Sequence, residues 1–145
     1  MQISGRGHFP HHNIVRYLDF FESPTKYYVV MEKLNGCELS VALTENGAKW
    51  SERQCAGVMR DLLSALQFLH EHSKHAHRDI KPQNICVARK ANDPTLYLID
   101  FGLASPLFNE RDEHQPLEEV APKAAANARR RVVGSVRYLS VHAHQ

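Results

Sequence analysis

The 145-residue sequence predicts an α+β fold, and three observations carry that prediction. Two runs rich in β-branched and aromatic residues stand at either side of a Ser-Pro-Thr turn. A long segment repeats its apolar residues at helical spacing, and two more short apolar runs follow, each next to a polar loop. At 43% hydrophobic the chain is too apolar for wholesale disorder, and its length can bury a core without a disulfide or metal staple. The longest purely apolar stretches, such as Tyr27-Tyr28-Val29-Val30-Met31, are too short to span a bilayer, and residues 1–8 lack the apolar stretch of a secretory signal. A formal charge of +2 gives no argument for nucleic acid. The expectation is a soluble chain of the cytoplasm or nucleus with no membrane and no nucleic-acid partner.

Taken in order, Ile14 to Phe21 and Tyr27 to Glu32 read as two strands of a hairpin turning at Ser23-Pro24-Thr25. Asn35-Gly36 breaks the strand, and a short helix is expected from near Glu38 to Asn46-Gly47. Ser51, with Gln54 three residues on, has the form of a capping box. From there Val58, Met59, Leu62, Leu63, Leu66 and Leu69 recur at spacings of three and four, predicting one apolar, core-facing stripe. A polar loop, His75 to Asn84, leads to Ile85-Cys86-Val87, a turn at Asn92-Asp93-Pro94, and Leu96-Tyr97-Leu98-Ile99. Short strands that deliver polar loops are a rigid support for reactive groups. From Pro106 to Arg131 the periodicity is lost, and an acidic stretch, an alanine run and Arg129-Arg130-Arg131 read as a mobile, solvated loop.

Cys37, Cys55 and Cys86 are odd in number and far apart, so neither a zinc ribbon nor a disulfide framework is indicated, and buried thiols are expected. The chain holds ten histidines, four of them (His70, His72, His75 and His77) within eight residues. Without Cys, Asp or Glu ligands at metal-binding spacing this cluster is weak support for a histidine-rich metal-binding protein.

Two motifs carry the chemistry. His77-Arg78-Asp79-Ile80-Lys81-Pro82-Gln83-Asn84 resembles the catalytic loop of a eukaryotic protein kinase of the serine/threonine type. Asp100-Phe101-Gly102, sixteen residues past Asn84, resembles the magnesium-binding motif of the same family. The resemblance implies a protein-kinase-like but incomplete fold: part of the small β-rich lobe, the hinge, and the first part of the helical lobe. Residues 1–32 would be the remnant of the small lobe, 33–37 the hinge, and 38–145 the helical lobe through the activation segment. It further implies transfer of the ATP γ-phosphoryl group to a Ser or Thr hydroxyl of a protein substrate, with ATP and Mg²⁺ required. Asp79 would accept the hydroxyl proton and Lys81 would neutralise the moving phosphoryl oxygens. Asn84 and Asp100 supply hard oxygen ligands of the kind Mg²⁺ prefers. His77 and Phe101 would pack in a column joining the lobes.

By the same resemblance Met31 would guard the adenine pocket. The Glu32 carbonyl and Leu34 N–H would bond the base, and Cys86 would floor it. Glu38 falls where the ribose is often bonded, although a charge at a helix N-terminus explains it equally well. Gly134 to His144 is similar to the corresponding segment of casein kinase I and tau-tubulin kinases. Arg137 there would bind an anion and favour acidic or already phosphorylated substrates, or it would simply hold the loop.

A glycine-rich phosphate loop, a strand lysine and its partner glutamate do not occur in the sequence, so the chain reads as the middle of a kinase domain, truncated at both ends. Such a piece is expected to be marginally stable and a poor catalyst by itself. The alternative is a catalytically inactive kinase remnant that serves as a binding module. Asp79, Lys81, Asn84 and Asp100 count against it, because these residue types serve chemistry more than packing.

Overall fold

Helix α2 (Glu52–Glu71) begins where the capping box demands. The computed structural model, which describes residues 9–44, 50–90 and 93–108, shows Ser51 extended at φ −70° and ψ 154°. Its Oγ accepts the Gln54 N–H at 3.3 Å and the Gln54 side chain accepts the Ser51 N–H at 3.0 Å, so both exposed donors are satisfied. The helix buries Val58, Leu62, Ala65 and Leu69. Met59 and Leu63, expected on the same stripe, are 51% and 60% exposed. Each is one residue past the buried line, hence about 100° around the helix, and the small side chain of Ala65 lets the neighbouring strand approach instead.

The elements before α2 are β1 (Tyr17–Glu22), β2 (Tyr27–Met31), β3 (Gly36–Glu38) and α1 (Leu39–Thr44). After it come β4 (His75–Ala76), a 3-10 turn (Pro82–Asn84), β5 (Ile85–Lys90), β6 (Asp93–Leu98) and β7 (Ser105–Pro106). They form three small antiparallel sheets, ordered β1-β2, β3-β5-β6 and β4-β7. The expected hairpin and short helix are present, although residues 45–49 and all but the start of the expected loop 106–131 lie outside the described residues.

Asn35-Gly36 does not simply end a strand. Gly36 opens β3, opposite Ala88 of β5, and a Cβ built there would lie 2.3 Å from the Val87 carbonyl oxygen. The glycine is required by a close backbone approach, so the far end of the expected hinge is already part of a sheet. The cysteines also depart from expectation: Cys86 is buried, but Cys37 is half-buried and Cys55 exposed.

The core lies between α2 and β6. Val58, Leu62, Ala65 and Leu69 pack with Ile85, Leu96, Leu98 and Phe101, and Ile14 joins them from the start of the chain. Residues 13–15 run parallel to the end of β6: the Val15 N–H donates to the Leu98 carbonyl at 3.0 Å and the Leu98 N–H to the Asn13 carbonyl at 2.8 Å. The Asn13 amide adds a bond to the Leu96 carbonyl at 2.9 Å. By contrast, the β1-β2 hairpin exposes apolar side chains on both faces, with Leu18, Phe21, Tyr27 and Tyr28 each more than half exposed.

Two glycine substitutions separate these contributions. Gly36→Ala is expected to lower the urea midpoint, followed by the fluorescence of the single tryptophan, Trp50, because β3 must part from β5. Gly57→Ala, where the new Cβ meets only the Arg60 guanidinium at 3.8 Å, is expected to leave the midpoint unchanged or raise it, by up to about 1 kcal/mol of helix propensity.

Candidate active site

The segment from β4 to β5 is stitched by its own side chains. Lys81 Nζ donates to Asp79 Oδ2 at 2.7 Å. The Asn84 amide nitrogen donates both to that oxygen and to the Asp79 backbone carbonyl, each at 2.9 Å. Asp79 is 9% exposed and Asn84 6%, so these charge-assisted bonds form where water competes little. The spacing explains the cluster: Pro82 starts the 3-10 turn, the Asn84 N–H closes it on the Lys81 carbonyl at 2.9 Å, and the turn brings residue 84 back over residue 79.

His77 sets the entry to this loop. Its ring is 2% exposed, its Nε2 lies 3.0 Å from the Ile99 carbonyl, and the Asp79 N–H points at Nδ1 at 3.3 Å. A carbonyl faces Nε2 and an N–H faces Nδ1, which fixes the neutral tautomer with its proton on Nε2. Burial pushes the imidazole below its ordinary range, opposed by the bond to Ile99 and by the Asp100 and Asp79 charges. His77 is therefore a packed, neutral histidine, as the resemblance implies. Among the described residues no group of three or more His, Cys, Asp or Glu gathers in a metal-binding arrangement.

Asp100 reaches the site from β6. The Ile99 N–H donates to the Asn84 backbone carbonyl at 3.0 Å, which ties the two polar loops together. Asp100 then turns through a left-handed backbone, φ 61°, that throws its carboxylate outward while Phe101 turns inward. Phe101 packs on His77 with ring centroids 4.9 Å apart, on Phe9 at 5.3 Å and on Tyr17 at 5.9 Å. Arg78 is also left-handed, at φ 66°, and its Nε donates to the Leu103 carbonyl at 2.6 Å. Phe9 and Tyr17 were not legible as members of this column. Aromatic side chains next to strand residues look like ordinary core.

The donor set fits a divalent cation. Among the described residues, both bonds of the Asn84 side chain use Nδ2, which leaves its Oδ1 available, and the exposed Asp100 carboxylate accepts the Gly102 N–H at 3.2 Å through Oδ1. Hard oxygens of this kind suit Mg²⁺.

The adenine-side candidates are less tightly gathered. Met31 ends β2 and is 44% exposed. The Glu32 carboxylate accepts the Arg16 N–H at 2.8 Å, while its own N–H donates to the Arg16 carbonyl at 2.9 Å. Leu34 is half-buried. Glu38 and Cys86 are register partners across β3 and β5, and the Glu38 carboxylate accepts the Ser40 hydroxyl at 2.9 Å, one residue into α1. That bond favours the local, helix-start reading of Glu38. Arg137 lies outside the described residues.

Comparison with known proteins accords with this geometry. The Protein kinase domain family matches residues 2–140. The chain is 38% identical over 107 residues to calcium/calmodulin-dependent protein kinase type IV of Homo sapiens, covering 74% of this chain and 21% of that protein. It is 37% identical over 99 residues to calcium/calmodulin-dependent protein kinase cmkA of Emericella nidulans, covering 68% of this chain and 23% of that one. The solved structure of a twitchin kinase fragment of C. elegans superposes with a TM-score of 0.60 at 32% identity, over 68% of this chain and 22% of that chain. The chain thus spans about a fifth of the length of these relatives.

The neutral state of His77 has a pH consequence. Its folded pKa lies below the unfolded value near 6.5, so its contribution to stability is complete above about pH 6.5 and is lost as the pH falls from there. Substituting His77→Gln is expected to flatten the decline of the urea midpoint between about pH 7 and pH 5. His11, lowered in the same direction mainly by burial, keeps the slope from vanishing.

Proposed function

The chain belongs to the protein kinase domain family, and on that premise we propose that it carries the catalytic-loop portion of a serine/threonine protein kinase. The observation that carries the proposal is the junction of Asp79, Lys81 and Asn84 with the segment leading into Asp100. Asp79 is the hydrogen-bond acceptor for the hydroxyl of a protein Ser or Thr and takes its proton as the oxygen bonds to the ATP γ-phosphorus and ADP leaves. Lys81 serves twice: its ammonium orients Asp79 in the resting site, and its flexible stem lets it reach the transferring phosphoryl oxygens. Asn84 and Asp100 would hold Mg²⁺, which when bound neutralises phosphate charge and aligns the phosphates. Asn84 also fixes the carboxylate rotamer of Asp79, so one side chain serves both metal and base.

Met31, Glu32, Leu34 and Cys86 form the proposed adenine side, while Glu38, which the Ser40 hydroxyl already engages, serves the start of α1 rather than the ribose. A Lys two residues after the aspartate is the serine/threonine pattern, and two of the relatives named above are calcium/calmodulin-dependent protein kinases. The finer likeness to casein kinase I, with its preference for acidic or primed substrates, hangs on Arg137 and its neighbours in residues 134–144. We further propose that Arg137 gives a preference for acidic or primed substrates and that the protein acts in the cytoplasm or nucleus.

The test is transfer of labelled γ-phosphate from ATP to Ser/Thr peptides in Mg²⁺. The rate is expected to be low, since a glycine-rich loop and strand lysine are not among these 145 residues. Asp79→Asn is expected to reduce it by about 10²-fold or more, the usual weight of a positioned base. Incorporation that is equal with and without the substitution would have another source and would refute the assignment.

A further inference from the structure

The column around Phe101 is built of rings, yet one of them brings a hydroxyl into it. Tyr17 stands edge-on to Phe101, and its Oη accepts the Phe101 backbone N–H at 3.4 Å. That N–H belongs to the residue directly after Asp100, whose left-handed backbone, φ 61°, sends its carboxylate outward. An amide at such a turn has no strand partner, so its bond must come from a side chain or from water. Tyr17 meets that need from the other side of the site.

The aim of Tyr17 comes from an irregularity in β1. Tyr17 pairs with Met31 and Asp19 with Val30, so Leu18 is an extra residue, a bulge, and it is 52% exposed. A bulge locally twists its strand and redirects the neighbouring side chain. Just upstream, residues 13–15 are fixed to the end of β6 by the two backbone bonds already described. Tyr17 is thus held at both ends relative to the strand that delivers Asp100. Burial pushes its phenol above the ordinary range, and the nearby Asp100 charge pushes the same way, so Tyr17 keeps its proton and remains a neutral partner at physiological pH.

We infer that Tyr17 is a positioning residue for Asp100: its hydroxyl holds the Phe101 N–H and so keeps the Asp100 carboxylate turned outward, towards the cation that the proposed function requires. The inference rests on the phosphoryl-transfer reading for its purpose, but the tether itself is a structural claim. Apolar packing alone would fill the same space with Phe. The hydroxyl adds a directional restraint on one backbone amide.

The experiment uses the chain with Tyr17→Phe, which keeps the ring and removes only the oxygen. Amide exchange followed by NMR is read at Phe101, with Val15, Leu98 and Ile99 as internal references, because their N–H groups bond to Leu98, Asn13 and Asn84 carbonyls. The Phe101 amide is expected to exchange roughly five-fold faster while the references keep their rates, as loss of one net hydrogen bond requires. Mn²⁺ binding in the presence of ADP, read by electron paramagnetic resonance, is expected to weaken several-fold in Tyr17→Phe and to be abolished in Asp100→Asn. A Phe101 amide that slows or speeds only in step with the references overturns the tether. Faster exchange at Phe101 with unchanged or tighter Mn²⁺ binding, while Asp100→Asn abolishes it, overturns the positioning role. Mn²⁺ binding that Asp100→Asn leaves untouched overturns the metal reading instead, and with it the purpose of the tether.

Discussion

A short parallel contact locks residues 13–15 to the end of β6, the strand that leads into Asp100. It is small, two backbone bonds and the Asn13 amide, but Asn13, Ile14 and Val15 are 1%, 2% and 0% exposed, so the bonds are shielded from water. On one side it begins the β1-β2 hairpin, whose Leu18, Phe21, Tyr27 and Tyr28 are more than half exposed. On the other it fixes Leu98, two residues before Asp100. Because β6 is also packed on α2 and paired with β5, the contact ties hairpin, helix and both polar loops to one rigid reference.

Fixing that reference relates two separately folded loops of the site. The Asp79-Lys81-Asn84 cluster is local, closed by a single 3-10 turn. What the fold adds is its relation to Asp100. The Ile99 N–H on the Asn84 carbonyl, and the neutral His77 between Asp79 and Ile99, join the loops through backbone groups rather than through charges. The Asp79 carboxylate, paired with Lys81, and the exposed Asp100 carboxylate are thereby held on adjoining loops that backbone groups tie together. Left-handed backbones at Arg78 and Asp100 mark where the chain bends against its preference to achieve this.

Much of this was legible in the sequence wherever the physics is local. The capping box at Ser51, the hairpin turn at Ser23 to Lys26, and the reactive cluster each depend on residues within a few positions of one another. Legibility failed where a distant partner decides. Met59 and Leu63 match the helical period as well as Val58 and Leu62 do, and only the position of β6 tells them apart. Gly36 looked like a breaker because the backbone it must approach, Val87, is some fifty residues away. Tyr17 looked like one more strand aromatic, since its role needs a bulge that no pattern of side chains announces. Residues 134–144, which carry the likeness to casein kinase I, lie outside the described residues.

On the function proposed, Asn84 and Asp100, and not the histidines, would hold the divalent cation that brings nucleotide phosphates to the loop of Asp79. Paramagnetic broadening by Mn²⁺ with ATP, mapped on the assigned amide spectrum, reads where the cation sits. The Asn84 side-chain amide and the Gly102 backbone amide are expected to broaden first, at the lowest Mn²⁺ concentrations. Broadening that starts instead at His11, His12 and His72, with Asn84 and Gly102 unaffected, would contradict that assignment.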